Sequence, residues 1–471
     1  MNKVDPTQEK YVFAEETIPD KLPDPLFLTP DHGLLHFEYN QLQEAGRDFN
    51  DLESKIETAF SLKEDDPKLE KSITDILLQG PELPIKDGFE YTEPSELPEI
   101  KKSRPTHTPQ GGIEFDQDTV REHIHGGWIG ACAGCLLGKP VQGWSQKRIR
   151  EFLKASNQYP LTEYIHADVR PEIRDKYNIY TNLEERDSFI TDVDGMPIDD
   201  DIDYIVAGLQ ILENNGLQFD SIDVANYWVE HLPLFNTYTA ERVAYRNFAN
   251  RIMPPDSATH LNPYREMIGA QIRADPWGYI SLGNPTQAAA LAYRDARISH
   301  IKNGIYGEMW VAAMIAGAPL ATDIEDLIQI GLSEIPINSR LTESIQTVIE
   351  WYETGIDVET AQQRIHDRWD ETDMYDWVHV RSNTEIITMA LLWSGGDFSD
   401  AITTAVDTGF DTDSHAASVG SILGTYHGVS NVPEQWITPL QNNLTTSISN
   451  IGTTTISSLA DRTVDVWNPD L

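Results

Sequence analysis

Two groups of carboxylates in the sequence stand where helices are expected to begin. The first is Asp199-Asp200-Asp201, which precedes an apolar stretch with helical spacing and is followed closely by Asp203. Consecutive carboxylates repel one another and raise one another's pKa values, so a cation or solvent must relieve the repulsion. An acidic start is also ordinary for a helix, because the N-terminus favours negative charge. This group is therefore a candidate metal or catalytic site, with helix capping as the alternative.

The second group is Asp411-Thr412-Asp413-Ser414, which also opens an apparent helix. Two carboxylates separated by one residue can converge on one ion from a turn, and the hydroxyls add oxygen ligands of the kind that Mg²⁺ binds. An N-cap role for Asp413 or Ser414 is the alternative. Together the two groups predict a metal site between helix ends, with enough oxygens for two ions about 4 Å apart.

A third pattern is a ridge of glycines on one face of a predicted helix. Its members, spaced four residues apart, are Gly126, Gly130, Gly134 and Gly138. Such a face lets another helix or a ligand approach the backbone closely, and helix packing is the preferred interpretation. No G-K-[ST] sequence follows, so this is not a phosphate-binding loop. Cys132 and Cys135 form a C-x-x-C pair inside the same helix, where small buried side chains explain them better than redox or zinc chemistry.

The rest of the sequence predicts the elements that position these groups. From residue 117 onward, apolar residues recur with helical spacing and strict two-residue alternation is scarce, so we predict an all-α body over 117–471. Residues 1–116 contain two amphipathic stretches, near 42–62 and 69–78, and are predicted to form a small helical extension of unknown role. The extension is expected to end in the polar, Pro- and Gly-containing segment 103–112.

Composition excludes several classes of protein. The chain of 471 residues has 35 Lys and Arg against 76 Asp and Glu, a formal charge of −41. It offers no basic surface for phosphates, which argues against nucleic acid and anionic membranes as partners. Acidic residues are spread along the whole chain and Lys302 is the only lysine after residue 176, as is typical of a high-salt cytoplasm. Residues 1–25 lack an apolar signal-peptide core, so we expect a cytoplasmic protein.

The order of these motifs resembles the ADP-ribosylglycohydrolase family over about residues 119–430. The chain has a Gly-rich helix ending in Gly138-Lys139-Pro140, an Asp-rich motif opening a helix, and a central segment ending in Ser299-His300. The most specific motif comes last: G-F-D-T-D-S at residues 409–414 is similar to the family's G-x-D-T-D-[ST]. The resemblance leaves residues 1–116 unexplained.

The resemblance implies a fold, a chemistry and a set of residues. The fold is a compact, many-helix orthogonal bundle with a dinuclear metal cleft that holds two divalent ions, usually Mg²⁺, with Mn²⁺ as an alternative. The chemistry is hydrolysis of an N- or O-glycosidic bond to ADP-ribose or a related ribosyl compound, in which a metal-bound water attacks the ribose C1. The implied metal ligands are Asp199, Asp200, Asp201, Asp411, Asp413 and Ser414. The first three are also the expected catalytic residues, and the implied substrate-binding residues are Gln142, Gly138 and His300.

The sequence departs from the family pattern at several of these positions. Asp199 stands where the family has Thr, and a one-residue shift in the alignment would exchange the roles of Asp199 to Asp201. Gln142 stands where relatives have a Glu that acts as an acid/base or metal-contacting group, and Gln cannot take a proton from water. If another carboxylate serves as the base, the candidates are Asp199, Asp203 and Glu308.

Three functions compete at this point. The first is the Mg²⁺-dependent hydrolase. The second is a protein that binds metal and ADP-ribose but has lost hydrolysis, as Gln142 in place of the family's Glu suggests. The third is an isoprenoid synthase, because residues 199–203 spell D-D-x-x-D, but the second motif that such enzymes need is absent from the sequence. The leaving group and the oligomeric state stay open.

Overall fold

The computed structural model describes residues 26–106, 115–179 and 188–467. The predicted all-α fold is confirmed, since the only paired strands in these ranges are β1 (Asn443–Thr445) and β2 (Thr453–Thr455), which form one antiparallel pair. Most of the predicted junction, residues 107–112, lies outside the described ranges. No helix in the described part of the chain is both long and apolar enough to cross a bilayer.

The extension contains short helices, two of which match the amphipathic stretches of the sequence. These helices are α1 (His32–Glu44), α2 (Asn50–Ser61), α3 (Leu69–Gln79) and α4 (Leu97–Ser103). Asp31 begins α1 as an N-cap, accepting a hydrogen bond from the backbone nitrogen of Leu34 at 2.9 Å. The buried faces of α1 and α3, which include Leu35 and Ile73, belong to the same continuous apolar core as Trp128 of the body.

The body is built from the remaining helices. They are α5 (Gln117–Gly138), α6 (Gln146–Ala155), α7 (Pro171–Tyr177), α8 (Asp200–Asn215), α9 (Ser221–His231), α10 (Thr239–Ala249), α11 (Asp275–Tyr279), α12 (Pro285–Ala296), α13 (Lys302–Gly317), α14 (Ile324–Leu332), α15 (Arg340–Glu353), α16 (Val358–Arg368), α17 (Met374–Trp377), α18 (Val380–Trp393), α19 (Phe398–Asp407), α20 (Thr412–His427), α21 (Glu434–Ile437) and α22 (Ile456–Val466). Short 3₁₀ helices span Gly80–Glu82, Lys139–Val141, Gly216–Gln218, Leu234–Asn236, Asp256–Ala258, Ile268–Arg273, Val429–Asn431 and Thr438–Leu440.

The glycine ridge of α5 packs directly on the backbone of α20, which confirms the packing interpretation. A Cβ at Gly130 would lie 1.9 Å from the carbonyl oxygen of Gly420, and one at Gly134 would lie 1.9 Å from that of Ala416. Gly138 meets the carbonyl of Thr412 in the same way, at 2.2 Å. Since real Cβ atoms do not approach an oxygen so closely, only glycine permits this helix pair. The contact brings the C-terminal end of α5 beside the N-terminal end of α20.

Buried ion pairs fasten the extension to the body. Arg265 bonds to Glu38 of α1, and Arg340 Nη2 donates to Glu93 Oε2 at 2.8 Å. The Glu38 side chain is completely buried, so burial raises the pKa of its carboxyl even though Arg265 opposes the shift. A buried charge left without its partner is strongly destabilising. The extension is therefore held against the body by charge pairing as well as by apolar packing.

Glu371, between α16 and α17, gives a stability prediction with a defined pH dependence. Burial raises the pKa of its carboxyl to about 7 from an ordinary value of 4.5, and its Oε2 accepts a hydrogen bond from the Gln146 backbone nitrogen at 2.9 Å. The ionised form is therefore disfavoured in the folded state, and this cost grows from pH 4.5 to about pH 7 and is constant above. Glu371→Gln keeps an acceptor for Gln146, so it should stabilise the protein by about 2 kcal/mol at pH 8.

Urea unfolding at pH 8 and pH 4 checks this expectation. The gain should disappear at pH 4, where the carboxyl is protonated in both states. Glu350→Gln, on the exposed side of α15, is the matched control and should change little at either pH. A gain of equal size at both pH values would contradict the proposed cause.

Candidate active site

The first carboxylate group both caps a helix and enters a buried cluster. Asp199 is the N-cap of α8, and its Oδ1 accepts a hydrogen bond from the Asp201 backbone nitrogen at 3.1 Å. Asp200 and Asp201 form the first turn, where the helix dipole favours negative charge. Asp201 is buried and Asp200 is half-buried. The capping and site interpretations of this group are therefore compatible.

The second carboxylate group is placed by a turn that ends at the start of α20. Gly409 and Phe410 both have positive φ angles, +84° and +59°, and Asp411 then begins the helix as its N-cap residue. Thr412 Oγ1 donates to the carbonyl of Gly138 at 2.8 Å, tying the turn to the end of α5. Because of this bond and the glycine packing, the carboxylates of residues 411–414 face the start of α8.

The two groups converge on a buried set of ligand atoms, which we call the carboxylate cluster. Carboxylate oxygens of Asp199, Asp201 and Asp413 and the Sγ of Cys135 all lie within 4.8 Å of one another. Both oxygens of Asp413 and Oδ1 of Asp201 are buried without a hydrogen-bond partner. Burial, followed by repulsion from neighbouring carboxylates, raises the pKa of Asp201 and of Asp413 well above the ordinary range.

A divalent cation fits these residues. Buried carboxylates are normally paired, and the unpartnered oxygens supply the hard ligands that such an ion binds. Ser414 adds a hydroxyl next to them, since its Oγ donates to Asp201 Oδ2 at 3.3 Å. Burial raises the pKa of the Cys135 thiol, so it is an uncharged neighbour of the cluster. Cys132 is likewise a buried free thiol, in agreement with the structural interpretation of the C-x-x-C pair.

Asp200 and Asp411 join Asp199, Asp201 and Ser414 in lining a cleft of about 570 Å³. Gln142 lines the cleft beside them, and its Nε2 donates to Asp411 Oδ1 at 3.3 Å. Burial raises the pKa of the Asp200 and Asp411 carboxyls, and the neighbouring Asp199 raises that of Asp200 further. The Gln142 side chain thus stands at the cleft surface, in contact with one of the expected metal ligands.

Lys139 is a site residue that we did not predict from the sequence. Its Nζ lies 2.6 Å from Asp199 Oδ2, and its side chain is largely buried. Burial alone would lower the pKa of this amine, but Asp199 and the other acidic groups nearby together outweigh burial and raise it. The ammonium therefore offsets the charge of one of the three consecutive carboxylates. The Gly-Lys-Pro sequence at the end of α5 is the sequence feature that could have identified Lys139.

Glu241 is a second cleft residue that we did not predict. It lines the cleft from the first turn of α10, its Oε1 accepts a hydrogen bond from Arg273 Nη1 at 2.7 Å, and burial raises its pKa to about 7.

His300, an expected substrate-binding residue, lies behind Glu241. Its ring is completely buried, with Nδ1 3.8 Å from Glu241 Oε1 and 2.8 Å from Ser299 Oγ. His300 is not among the described residues that line the cleft, and neither is Gly138, which lies against Thr412.

Two candidate bases lie away from the carboxylate cluster. The Asp203 carboxylate accepts hydrogen bonds from the Ser447 backbone nitrogen at 3.1 Å and from the hydroxyls of Thr446 and Ser447. It therefore anchors the segment that follows β1. Glu308 is completely buried in α13, with Oε2 3.8 Å from Arg273 Nη2. Neither lines the cleft in the described part of the chain.

Comparison with known proteins identifies the class to which this fold and cleft belong. The chain is a member of the ADP-ribosylglycohydrolase family, whose model matches residues 116–470. This confirms the resemblance in the sequence motifs. Residues 1–115, which include α1 to α4, lie outside the match.

Individual relatives are distant or cover little of the chain. ADP-ribosylarginine hydrolase Tri1 of Serratia proteamaculans (strain 568) is 42% identical over 52 residues, which is 11% of this chain and 14% of that protein. A solved structure described as an ADP-ribosylglycohydrolase-related protein complex shares 17% identity with a TM-score of 0.46, covering 74% of this chain and 98% of its own.

Proposed function

We propose that the protein is a Mg²⁺-dependent hydrolase of an N- or O-glycosidic bond to ADP-ribose or a related ribosyl compound. The observation that carries the proposal is the carboxylate cluster, which has unpartnered oxygens on Asp201 and Asp413 and adjoins a cleft lined by Asp200, Asp201 and Asp411. Family membership supports the reaction class. The similarity to an ADP-ribosylarginine hydrolase makes an arginine-linked substrate the first to test. We further propose that the protein works in a high-salt cytoplasm.

The residues of the two carboxylate groups would hold two divalent ions, with Mn²⁺ able to replace Mg²⁺. Asp413 would contribute from the buried side, and the five residues that line the cleft would contribute from the cleft side, namely Asp199, Asp200, Asp201, Asp411 and Ser414. Bound there, an ion would orient the ribose hydroxyls and lower the pKa of a neighbouring water. The chain itself contributes the fixed orientation of the carboxylates, which start α8 and α20, and α20 is held in place by its glycine contact with α5.

Asp200 is the proposed proton acceptor. Asp203 is bonded to Ser447, Glu308 is enclosed in α13, and both oxygens of Asp199 are engaged, with Lys139 and with the start of α8. Asp200 is half-buried and lines the cleft, so its carboxylate can reach a water there. Burial and the neighbouring Asp199 raise the pKa of its carboxyl, which makes the carboxylate a stronger proton acceptor.

The direct test is release of ADP-ribose from arginine- and serine-linked peptides and from O-acetyl-ADP-ribose, in about molar KCl to screen the acidic surface. Release that requires added Mg²⁺ or Mn²⁺ and stops with EDTA would support the proposal. Absence of release from every substrate, in protein that binds ADP-ribose with Mg²⁺, would favour the alternative, a protein that binds metal and ADP-ribose with lost or weak hydrolysis.

Gln142→Glu separates these two functions. If hydrolysis has been lost because a carboxylate is missing, the substitution should raise Mg²⁺-dependent turnover by about 10²- to 10⁴-fold from background. If the wild type already hydrolyses through Asp200, the new charge beside Asp411 should change turnover by less than about tenfold and act mainly on the apparent Mg²⁺ affinity. Single-turnover rates across a Mg²⁺ titration measure both quantities. Gln117→Glu, an exposed position in the first turn of α5 and outside the cleft lining, is the matched control.

A further inference from the structure

We propose that the N-terminal extension completes the substrate cleft and that Phe27 is a specificity-determining residue that stacks on a planar aromatic base carried by the ribosyl substrate. The inference rests on the proposed function, because it concerns the part of the ligand that lies away from the carboxylate cluster. Phe27 lies outside the residues that the family model matches, yet it lines the same cleft as Asp200 and Asp411.

Contacts from the body hold the Phe27 ring in place. Arg242 of α10 donates from Nη1 to the carbonyl of Leu26 at 3.3 Å, and its guanidinium carbon lies 5.5 Å from the Phe27 ring centroid. Tyr238 and Tyr264 meet the ring edge-to-face, with centroids 6.5 Å and 5.7 Å away. These geometries are favourable for aromatic and cation–π contacts. The ring is therefore positioned beside the cleft by residues before, within and after α10.

The backbone conformation at Phe27 indicates that neighbouring residues hold this residue in place. Its φ angle is +68°, in the left-handed region that a bulky residue seldom adopts. Such conformations persist where neighbouring structure over-determines them, and they concentrate at binding sites. The Arg242 bond to Leu26 fixes the peptide immediately before this residue.

The chemistry of the cleft lining favours recognition of a nucleobase rather than of a charged group. The apolar part of the lining includes Phe27, Tyr238, Ile268, Met374, Trp377 and Val378. Among the described lining residues Lys139 is the only cation, and its ammonium is bonded to Asp199. A phosphate would find no other basic side chain in that lining, whereas aromatic side chains stack on any nucleobase through its π face.

Isothermal titration calorimetry with Mg²⁺ in about molar KCl tests the proposal with two probes. ADP-ribose carries the base and ribose 5-phosphate does not. Phe27→Ala should weaken ADP-ribose binding about tenfold and leave ribose 5-phosphate binding unchanged, since only the former loses stacking. Phe27→Trp should restore ADP-ribose affinity. Phe60→Ala, an exposed phenylalanine of α2 outside the cleft, is the matched control and should alter neither.

Several outcomes would overturn the inference. Unchanged ADP-ribose affinity in Phe27→Ala would show that the ring does not contact the base, and would leave the proposed hydrolase intact. Equal weakening of the binding of both probes would mean that Phe27 only supports the fold of the cleft. That result would also overturn the inference. Failure of the wild type to bind either probe, together with no glycosidic hydrolysis, would overturn the inference and the proposed function together.

Discussion

Replacing Asp413 by Asn is expected to abolish divalent-ion binding and to lower hydrolysis by about a thousandfold or more. Asp413 is completely buried, and neither of its oxygens has a hydrogen-bond partner. Its charge is therefore placed where only a cation can compensate it, and Asn removes the charge with almost no change of shape. Calorimetric Mg²⁺ titration and ADP-ribose release measure the two losses.

The same variant distinguishes loss of the ion from loss of the fold. Because burial and the nearby Asp411 disfavour ionisation of Asp413, Asn at this position should keep or raise the melting temperature in EDTA. Asp400→Asn is the control, because Asp400 is an exposed carboxylate in the first turn of α19. Undiminished Mg²⁺ binding by Asp413→Asn would place the ion elsewhere and contradict the assignment of the cluster.

Replacing Gly130 by Ala should destabilise the protein by about 2–3 kcal/mol, although Ala is the better helix former by about 1 kcal/mol. The added Cβ would lie 1.9 Å from the carbonyl oxygen of Gly420, which belongs to the backbone and cannot rotate away. α5 and α20 must then separate. Urea unfolding measures the loss of stability. A stabilised variant would show that α5 and α20 are not in this contact.

The consequence for the site provides a second measurement on the same variant. Gly130 lies two helical turns before Gly138 and does not line the cleft, yet separation of the helices moves Asp413 relative to Asp201. Mg²⁺ affinity should therefore fall together with stability. Gly355→Ala is the matched control: nothing lies within 4 Å of its added Cβ, so only its left-handed backbone conformation (φ +73°) opposes the change, at about 1 kcal/mol.

The parts of the site that were predictable from the sequence are those with a local signal. Residues 199–201 and 411–414 were recognisable because carboxylates favour helix starts and because a one-residue spacing brings two of them to one side of a turn. The glycine ridge was recognisable because a four-residue spacing places side chains on one helical face. Each of these signals extends over only one or a few helical turns.

The parts that were not predictable depend on partners far apart in the chain. Lys139 meets Asp199 across 60 residues, and Arg242 meets Leu26 across 216. Asp203 stands in the same helical turn as Asp200 and Asp201, but it points to Ser447 because α8 turns that face toward the segment after β1. Nothing in the local spacing separates Asp203 from its neighbours.

By itself, the sequence determined the helices, the all-α class, the two acidic helix starts and the glycine face that lets two helices meet. These follow from the helical period, capping preferences and side-chain size, which act between residues a few positions apart. Only the tertiary structure decided which carboxylates converge, that Lys139 offsets one of them, and that Phe27 of the extension lines the cleft. Such decisions depend on how helices pack around a common core, where contacts between distant residues set the position of each face.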